Sequence, residues 1–111
     1  MNLDEINEFI ESEIKRLEEY YDNKDKDELT MAMGFKVVEE LGELFNEMLT
    51  NKGYQRKEKL KDNEEEIKKE FADVIFVTLI LAKRFNVDIK EAIKIKMEEI
   101  KKRDYKKYNG K

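Results

Sequence analysis

The amino-acid sequence predicts an all-α protein, and three observations support that class. The 111 residues include no proline and four glycines, so few positions interrupt a helix. Charged residues make up 45% of the chain and hydrophobic residues 40%, a balance typical of amphipathic helices. Hydrophobic side chains recur at spacings of three and four, the period of one helix face. We therefore expect a single domain over residues 1–111, a compact four-helix bundle-like fold.

The first two helices are defined by this spacing and by the polar segments after them. The first is predicted from Asp4 to Tyr21 and ends in the stretch DNKDKDE. The second is predicted from Glu28 to Thr50, and Gly53 is placed to end it because glycine readily takes the left-handed conformation. Residues 51–62 are locally basic and are expected to form a solvated loop or a short extra helical turn. The apolar stripe of the second helix comprises Val37, Leu41, Leu44 and Met48, flanked by Val38, Phe45 and Leu49.

The third and fourth helices each follow a residue suited to cap them. Asn63 is predicted to cap the third helix, which continues to about Phe85. Asp88 is predicted to cap the fourth, which continues to about Arg103. The tail from residue 104 to residue 111 is expected to fray.

The third helix is apolar on almost every side, which predicts a central position. Between Phe71 and Ala82 only Asp73 and Thr78 are polar. One small bundle offers too little surface to cover such a helix. We therefore expect the fold to be completed by a second copy of the chain, in a homodimer or homotetramer.

Composition excludes several classes of function. The net charge is −4 with both signs interspersed, so neither a nucleic-acid groove nor a membrane-binding surface is indicated. Without cysteine the chain has no disulfide and no zinc–thiolate site, and without histidine it has no Ser-His-Asp triad and no histidine-rich metal site. The longest apolar run, VIFVTLILA, is too short to span a bilayer. We expect a cytoplasmic protein in which any metal ion is held by oxygen atoms.

Four glutamates crowd the stretch KVVEELGELFNEM at residues 36–48. On a helical wheel they lie opposite the apolar stripe, so this helix alone favours an ordinary solvated face. Like charges three and four residues apart repel, and only Lys36 offsets them locally. These glutamates are Glu39, Glu40, Glu43 and Glu47.

Two acids of the third helix favour a bound cation instead. Glu70 and Asp73 rise from apolar surroundings about one turn apart, and a buried carboxylate must be protonated, paired or metal-bound. Glu40 and Glu43 have the same spacing on the second helix, so the two pairs are able to direct their oxygens at one point. Mg²⁺ or Mn²⁺ prefers such a site and leaves positions open for water and phosphate. We expect Glu47 to stay on the surface.

Three segments in this order resemble the MazG-like all-α nucleotide pyrophosphohydrolases. They are EELGEL at 39–44, EFADVIF at 70–76 and LAKRFNVDIKEAIKIKMEEIKKR at 81–103, and the resemblance covers about residues 30–105. It implies Mg²⁺-dependent hydrolysis of a nucleoside triphosphate, standard or modified, to the monophosphate and pyrophosphate. A house-cleaning role belongs to that expectation. By the same resemblance the metal ligands are Glu40, Glu43, Glu70 and Asp73, and Glu39 orients the attacking water or holds a second ion.

The resemblance also implies phosphate contacts on the fourth helix. Lys96 and Arg103 match basic positions of the family pattern and are expected to bind the β and γ phosphates. The alternative is that both are cations near a helix C-terminus, favoured by its dipole. Ile100 stands where the family pattern has asparagine, which leaves the contact to phosphate or sugar open.

Two other functions remain open from the sequence. Within the same fold, a phosphoribosyl-ATP pyrophosphohydrolase is the nearest enzymatic alternative. The alternative from another class is a non-enzymatic helical interaction or regulatory module, whose acids are solvated and whose third helix docks on a partner. A member of the family that has lost activity would bind metal without turnover.

Overall fold

Four α-helices follow one another along the chain, as the hydrophobic spacing predicts. The computed structural model describes residues 1–22, 25–51 and 64–108, with side chains up to residue 106. Across these ranges there is no strand, and each predicted helix boundary lies within two residues of the observed one. The all-α class is therefore confirmed. The helices are α1 (Leu3–Tyr20), α2 (Lys26–Asn51), α3 (Glu64–Arg84) and α4 (Ile89–Lys101), followed by a 3₁₀ turn at Tyr105–Tyr108.

Polar side chains cap two of these helices. The Asn2 side chain accepts the backbone N–H of Glu5 at 2.9 Å and so caps α1, a cap that the sequence had not suggested. Asp88, predicted to cap the fourth helix, accepts the N–H groups of Lys90 and Glu91 at 3.0 and 3.3 Å. The predicted cap Asn63, the stop at Gly53 and most of the predicted loop 51–62 lie outside the described residues.

Asn86 ends α3 by taking the left-handed conformation, with a φ of 57°. Its N–H donates to the Lys83 carbonyl at 3.0 Å, and the N–H of Val87 donates to the Ala82 carbonyl at 2.9 Å. This pair of bonds is the Schellman arrangement, in which asparagine is the usual substitute for glycine. It turns the chain sharply enough for α4 to begin three residues later.

The end of α4 differs from its predicted end. The helix stops at Lys101 rather than Arg103, because the last turn tightens: the N–H of Lys102 donates to the Glu99 carbonyl at 3.3 Å and that of Arg103 to the Ile100 carbonyl at 3.0 Å. The tail was expected to fray from residue 104. Instead Tyr105–Tyr108 form a 3₁₀ turn, while residues 109–111 lie outside the described part of the chain.

The third helix is central, as its apolar composition predicts. α3 packs along most of α2 and also contacts α1 and α4. The buried hydrophobic side chains are Ile10 of α1, Leu29 and Leu44 of α2, and Ile80 of α3. Over the described ranges, no helix is both long enough and apolar enough to cross a membrane.

Arg84, in the last turn of α3, joins three helices. Its side chain is only 8% exposed. Its Nε donates to the Thr30 hydroxyl at 2.8 Å and its Nη2 to the Lys26 carbonyl at 3.1 Å, both on α2. Its Nη1 lies 3.5 Å from a carboxylate oxygen of Glu18 on α1. A buried guanidinium with this many partners fixes how the ends of α1, α2 and α3 meet.

We expect Arg84→Met to lower the free energy of unfolding by about 2 kcal/mol or more, because it removes the charge-assisted bonds of a buried guanidinium to three partners. Urea unfolding followed by circular dichroism measures this difference. Lys90→Met is the control, since Lys90 also bridges two helices by contacting Asp4 at 2.8 Å, but both partners are exposed. Exposed pairs contribute little to stability. Equal losses in the two variants would contradict this account of Arg84.

Much apolar surface stays exposed in the single chain. The Cα radius of gyration is 17.7 Å, whereas about 13 Å is expected for a compact chain of this length. The predicted stripe of α2 is divided: Leu44 is buried against α3, while Val38, Leu41 and Phe45 are more than half exposed. The physical reason is that α2 meets α3 with the side that carries Leu44 and Glu40, and its remaining apolar residues face away.

Candidate functional site

The carboxylates predicted to act together do lie together, between α2 and α3. α2 contributes Glu39, Glu40 and Glu43, and the oxygens of these three lie within 4.8 Å of one another. A second group is formed by Glu40 with Glu70 and Asp73 of α3, and one oxygen of each also lies within 4.8 Å of the others. Glu40 belongs to both groups. The five residues, called the carboxylate cluster below, therefore offer two overlapping positions for a cation, one more exposed and one nearer α3.

Glu40 is the most buried member of the carboxylate cluster. It is 7% exposed, and its side chain lies at the contact of α2 with α3 rather than on a solvated face. One oxygen, Oε1, is 3.2 Å from the Lys36 ammonium. The other, Oε2, is buried and has no hydrogen-bond partner. An ionised oxygen without a partner costs several kcal/mol in practice, so this atom indicates that a positive group belongs beside it.

Glu70 presents the same feature from the opposite helix. It is half-buried on α3, and its Oε2 is also buried without a partner. Burial raises the pKa of the Glu70 carboxyl, and the charges of Glu43, Asp73, Glu40 and Glu47 raise it further. The inner group of the cluster therefore includes two residues, on facing helices, that each carry a buried oxygen without a partner.

Glu43 is exposed but shares the repulsion. The neighbouring charge of Glu40 raises the pKa of the Glu43 carboxyl, desolvation adds to the shift, and Lys36 opposes it. In the ion-free protein Glu43 and Glu70 therefore hold protons more readily than isolated glutamates do. A cation would replace those protons and reverse the shift.

The cluster has the donor set of a hard divalent cation. Every candidate ligand atom is a carboxylate oxygen, and the chain contains neither histidine nor cysteine. Mg²⁺ and Mn²⁺ bind such oxygens and retain water in the remaining positions. The unpartnered oxygens of Glu40 and Glu70 fit a divalent cation, because its positive charge would compensate their burial.

Glu47 lies deeper than its prediction as a surface residue. It is half-buried one turn beyond Glu43. Burial of Glu70 is the largest cause of its raised pKa, and the charge of Glu47 raises that pKa further. The helical wheel placed it on a solvated face because the wheel does not show that α3 covers that side of α2. Glu47 therefore contributes to the electrostatic field of the carboxylate cluster.

The predicted phosphate contacts lie on a different element. Lys96 is exposed on α4 and pairs with Glu99 at 3.1 Å. Arg103 is exposed just past the end of α4 and forms no ion pair with the residues that the structure describes. No ion pair joins either cation to the carboxylate cluster in the described ranges. Ile100, at the family's asparagine position, is 40% exposed between them.

Comparison with known proteins identifies a family for this chain. The model of the MazG-like family matches residues 33–110, a range that includes all seven predicted site residues. No curated protein and no solved structure matches the chain. The match extends over more than half of the sequence and includes both acidic helices of the carboxylate cluster. The protein belongs to the MazG-like family.

Proposed function

We propose that the protein is a Mg²⁺-dependent pyrophosphohydrolase that converts a nucleoside triphosphate, standard or modified, to the monophosphate and pyrophosphate. One observation carries the proposal: the buried oxygens of Glu40 and Glu70, on facing helices, lack a positive partner. The MazG-like family is of the nucleotide pyrophosphohydrolase type, and it also includes non-catalytic members. The unpartnered oxygens favour a member of the family that binds a cation, because burial of an ionised oxygen without a positive partner is unfavourable.

Each acid of the carboxylate cluster has a role in this proposal. Glu40, Glu43, Glu70 and Asp73 would hold the ion, which neutralises phosphate charge and lowers the pKa of a coordinated water. Glu39, exposed at the open side of the cluster, accepts a hydrogen bond from the attacking water and orients it. Water adds across the bond between the α and β phosphates and the two products separate. Lys96 and Arg103 bind the β and γ phosphates, a role that remains a prediction.

A pyrophosphate-release assay is the direct test. The protein is incubated with Mg²⁺, and separately with Mn²⁺, and with a panel of standard and modified nucleoside triphosphates. We expect the wild type to release pyrophosphate from at least one of these nucleotides and the Glu40→Gln variant to release none. Phosphoribosyl-ATP belongs on the panel, because its cleavage alone would establish the enzymatic alternative within the same fold. Absence of release from every nucleotide with both ions would contradict the proposal.

The non-enzymatic alternative rests on the exposed apolar faces. Residues such as Ile95 on α4, 58% exposed, suit a protein partner as well as a second copy. A regulatory module predicts no response to divalent cations, whereas an inactive relative predicts cation binding without turnover. Cation titration and the release assay together therefore separate the three functions. The cytoplasmic location stays a prediction.

The raised pKa values of Glu43 and Glu70 predict opposite pH dependences for the stability of the ion-free protein and for the stabilisation that a cation adds. Because the folded-state pKa values of Glu43 and Glu70 are raised, these groups favour folding below the unfolded-state value, about 4.3, and that contribution is lost as the pH rises through the folded-state values. Cation binding needs both carboxylates ionised, so cation-induced stabilisation grows over the same window. Melting temperatures measured from pH 4.5 to 7.5 with and without Mn²⁺ should diverge as the pH rises. Parallel curves would contradict this expectation.

We also propose that the active protein is a homo-oligomer, a homodimer or homotetramer. Its support is a line of exposed apolar residues along α2 at spacings of three and four, the pattern of a helix–helix seam. The seam faces away from α3, so a second copy can cover it without disturbing the carboxylate cluster. Ile75 and Phe71 of α3 are about half exposed and extend the apolar area. The seam comprises Met31, Phe35, Val38, Leu41, Phe45 and Met48.

A further inference from the structure

Lys36 lies one helical turn before the acids of α2 and contacts two of them. Its Nζ is 3.2 Å from Oε1 of Glu39 and 3.2 Å from Oε1 of Glu40. Among the described residues, no other lysine or arginine forms an ion pair with the carboxylate cluster. The Lys36 side chain is nearly half exposed, so it is able to move into solvent without disturbing the core.

The Lys36 ammonium lies against one of the two groups of acids. Glu39 and Glu40 are two of the three acids that form the outer group, and Lys36 contacts the Oε1 atom of each. Oε2 of Glu40, a residue that belongs to both groups, has no hydrogen-bond partner. Lys36 therefore neutralises part of the outer group and leaves one buried oxygen of Glu40 without a partner.

We propose that Lys36 is an internal counter-ion of the carboxylate cluster, which holds Glu39 and Glu40 in the ion-free protein and is displaced from them when a divalent cation binds. The inference rests on the proposed metal-dependent function. It makes Lys36 a positioning residue with two effects. Its charge reduces the repulsion among five neighbouring acids, and the same charge competes with the cation for the same oxygens.

This competition also concerns Glu39. While Lys36 donates to its Oε1 at 3.2 Å, that oxygen of Glu39 is occupied by the ammonium. Displacement of the ammonium releases that oxygen. Cation binding and the freeing of Oε1 are then one event, so both oxygens of Glu39 are available to orient water when the ion is present.

The test compares two variants that remove the same charge. Lys36→Met removes the counter-ion, and Lys101→Met removes an exposed lysine that pairs with Glu98 at 3.2 Å and a spacing of three, on α4. Mn²⁺ binding is measured by electron paramagnetic resonance of the free ion, at constant ionic strength. We expect Mn²⁺ to bind Lys36→Met about tenfold more tightly than the wild type, because a like charge next to the ion is gone. Lys101→Met and the charge-conserving Lys36→Arg should match the wild type.

Circular dichroism before each titration establishes that the variants are folded, and a melting curve adds a second measurement. Ion-free Lys36→Met should melt below the wild type, and Mn²⁺ should raise its melting temperature by more. An unchanged or weaker affinity in Lys36→Met, beside a wild type that binds Mn²⁺, would overturn the counter-ion inference alone. If neither the wild type nor any variant binds Mn²⁺, the proposed function fails and this inference fails with it.

Discussion

Glu70→Gln is expected to abolish the stabilisation of the protein by Mg²⁺ or Mn²⁺ and to remove its pyrophosphate release. A cation that binds only the folded state adds about 2.7 kcal/mol at a concentration one hundred times its dissociation constant. For a domain of this size that corresponds to roughly 10 °C or more in melting temperature. Loss of a ligand oxygen at the inner position should weaken binding by at least about a hundredfold, so almost none of this shift remains.

The ion-free variant supplies a second signature. The Glu70 carboxyl has a raised pKa because it is partly buried and faces other acids. A neutral amide of the same shape removes that repulsion. Ion-free Glu70→Gln should therefore melt at or above the temperature of the ion-free wild type, although it no longer responds to the cation. A variant with a simple folding defect would instead melt below the wild type both without and with the cation.

Glu66→Gln is the matched control, because it removes one charge from the same helix about one turn earlier. Glu66 is exposed and contacts only Lys69, at 3.8 Å. The control should keep the cation response and the activity of the wild type. A full cation response in Glu70→Gln, or an equal loss in Glu66→Gln, would show that the carboxylate cluster is not the binding site.

The helices and the pairing of the acids were predictable because both depend on local spacing. Apolar residues at intervals of three and four define the faces of a helix, and Asp88 caps α4 as its position predicts. Acids at i and i+3 share a face, so Glu40 with Glu43 and Glu70 with Asp73 were expected to act as pairs. Their meeting across α2 and α3 needed, in addition, that the acidic side of α2 face α3.

The side of α2 that meets α3 could not be predicted in the same way. A helical wheel shows that Leu41 and Phe45 share an apolar side, but it does not show which helix covers that side. In the structure the acidic side of α2 meets α3 and the apolar side faces away: Glu40 is buried and Phe45 is exposed. Burial of a carboxylate is unfavourable unless a cation compensates it. Hydrophobic patterning alone therefore predicts that the wrong side of α2 is buried at this candidate site.

Arg84 shows a second limit of sequence reasoning. A basic residue in the last turn of a helix is expected to interact with the helix dipole and remain solvated. Its actual partners, Thr30, Lys26 and Glu18, lie 54 to 66 positions away. No local pattern carries that information, because the contact depends on how three helix ends converge.

Phe45→Lys is expected to dissociate the proposed homo-oligomer into monomers. Phe45 is 59% exposed in the single chain and lies in an apolar groove of α2 lined also by Leu41 and Met48. Gly42 lies in the same groove, and a Cβ added there would meet nothing within 4 Å, so the groove has room for side chains of another helix. In a symmetric dimer each substitution is present twice. Because a central aromatic contact contributes at least about 2 kcal/mol, the dissociation constant should rise at least about a hundredfold.

Phe85→Lys is the matched control for that variant. Phe85 follows the last turn of α3 and is 63% exposed, so the same substitution introduces the same charge at a similarly exposed aromatic residue outside the groove. Light scattering after size exclusion, at several protein concentrations, should give the wild-type mass for Phe85→Lys and the monomer mass for Phe45→Lys. A monomeric wild type would remove the homo-oligomer proposal. An oligomeric Phe45→Lys would show that the chains meet elsewhere, with the exposed face of α4 as the next surface to test.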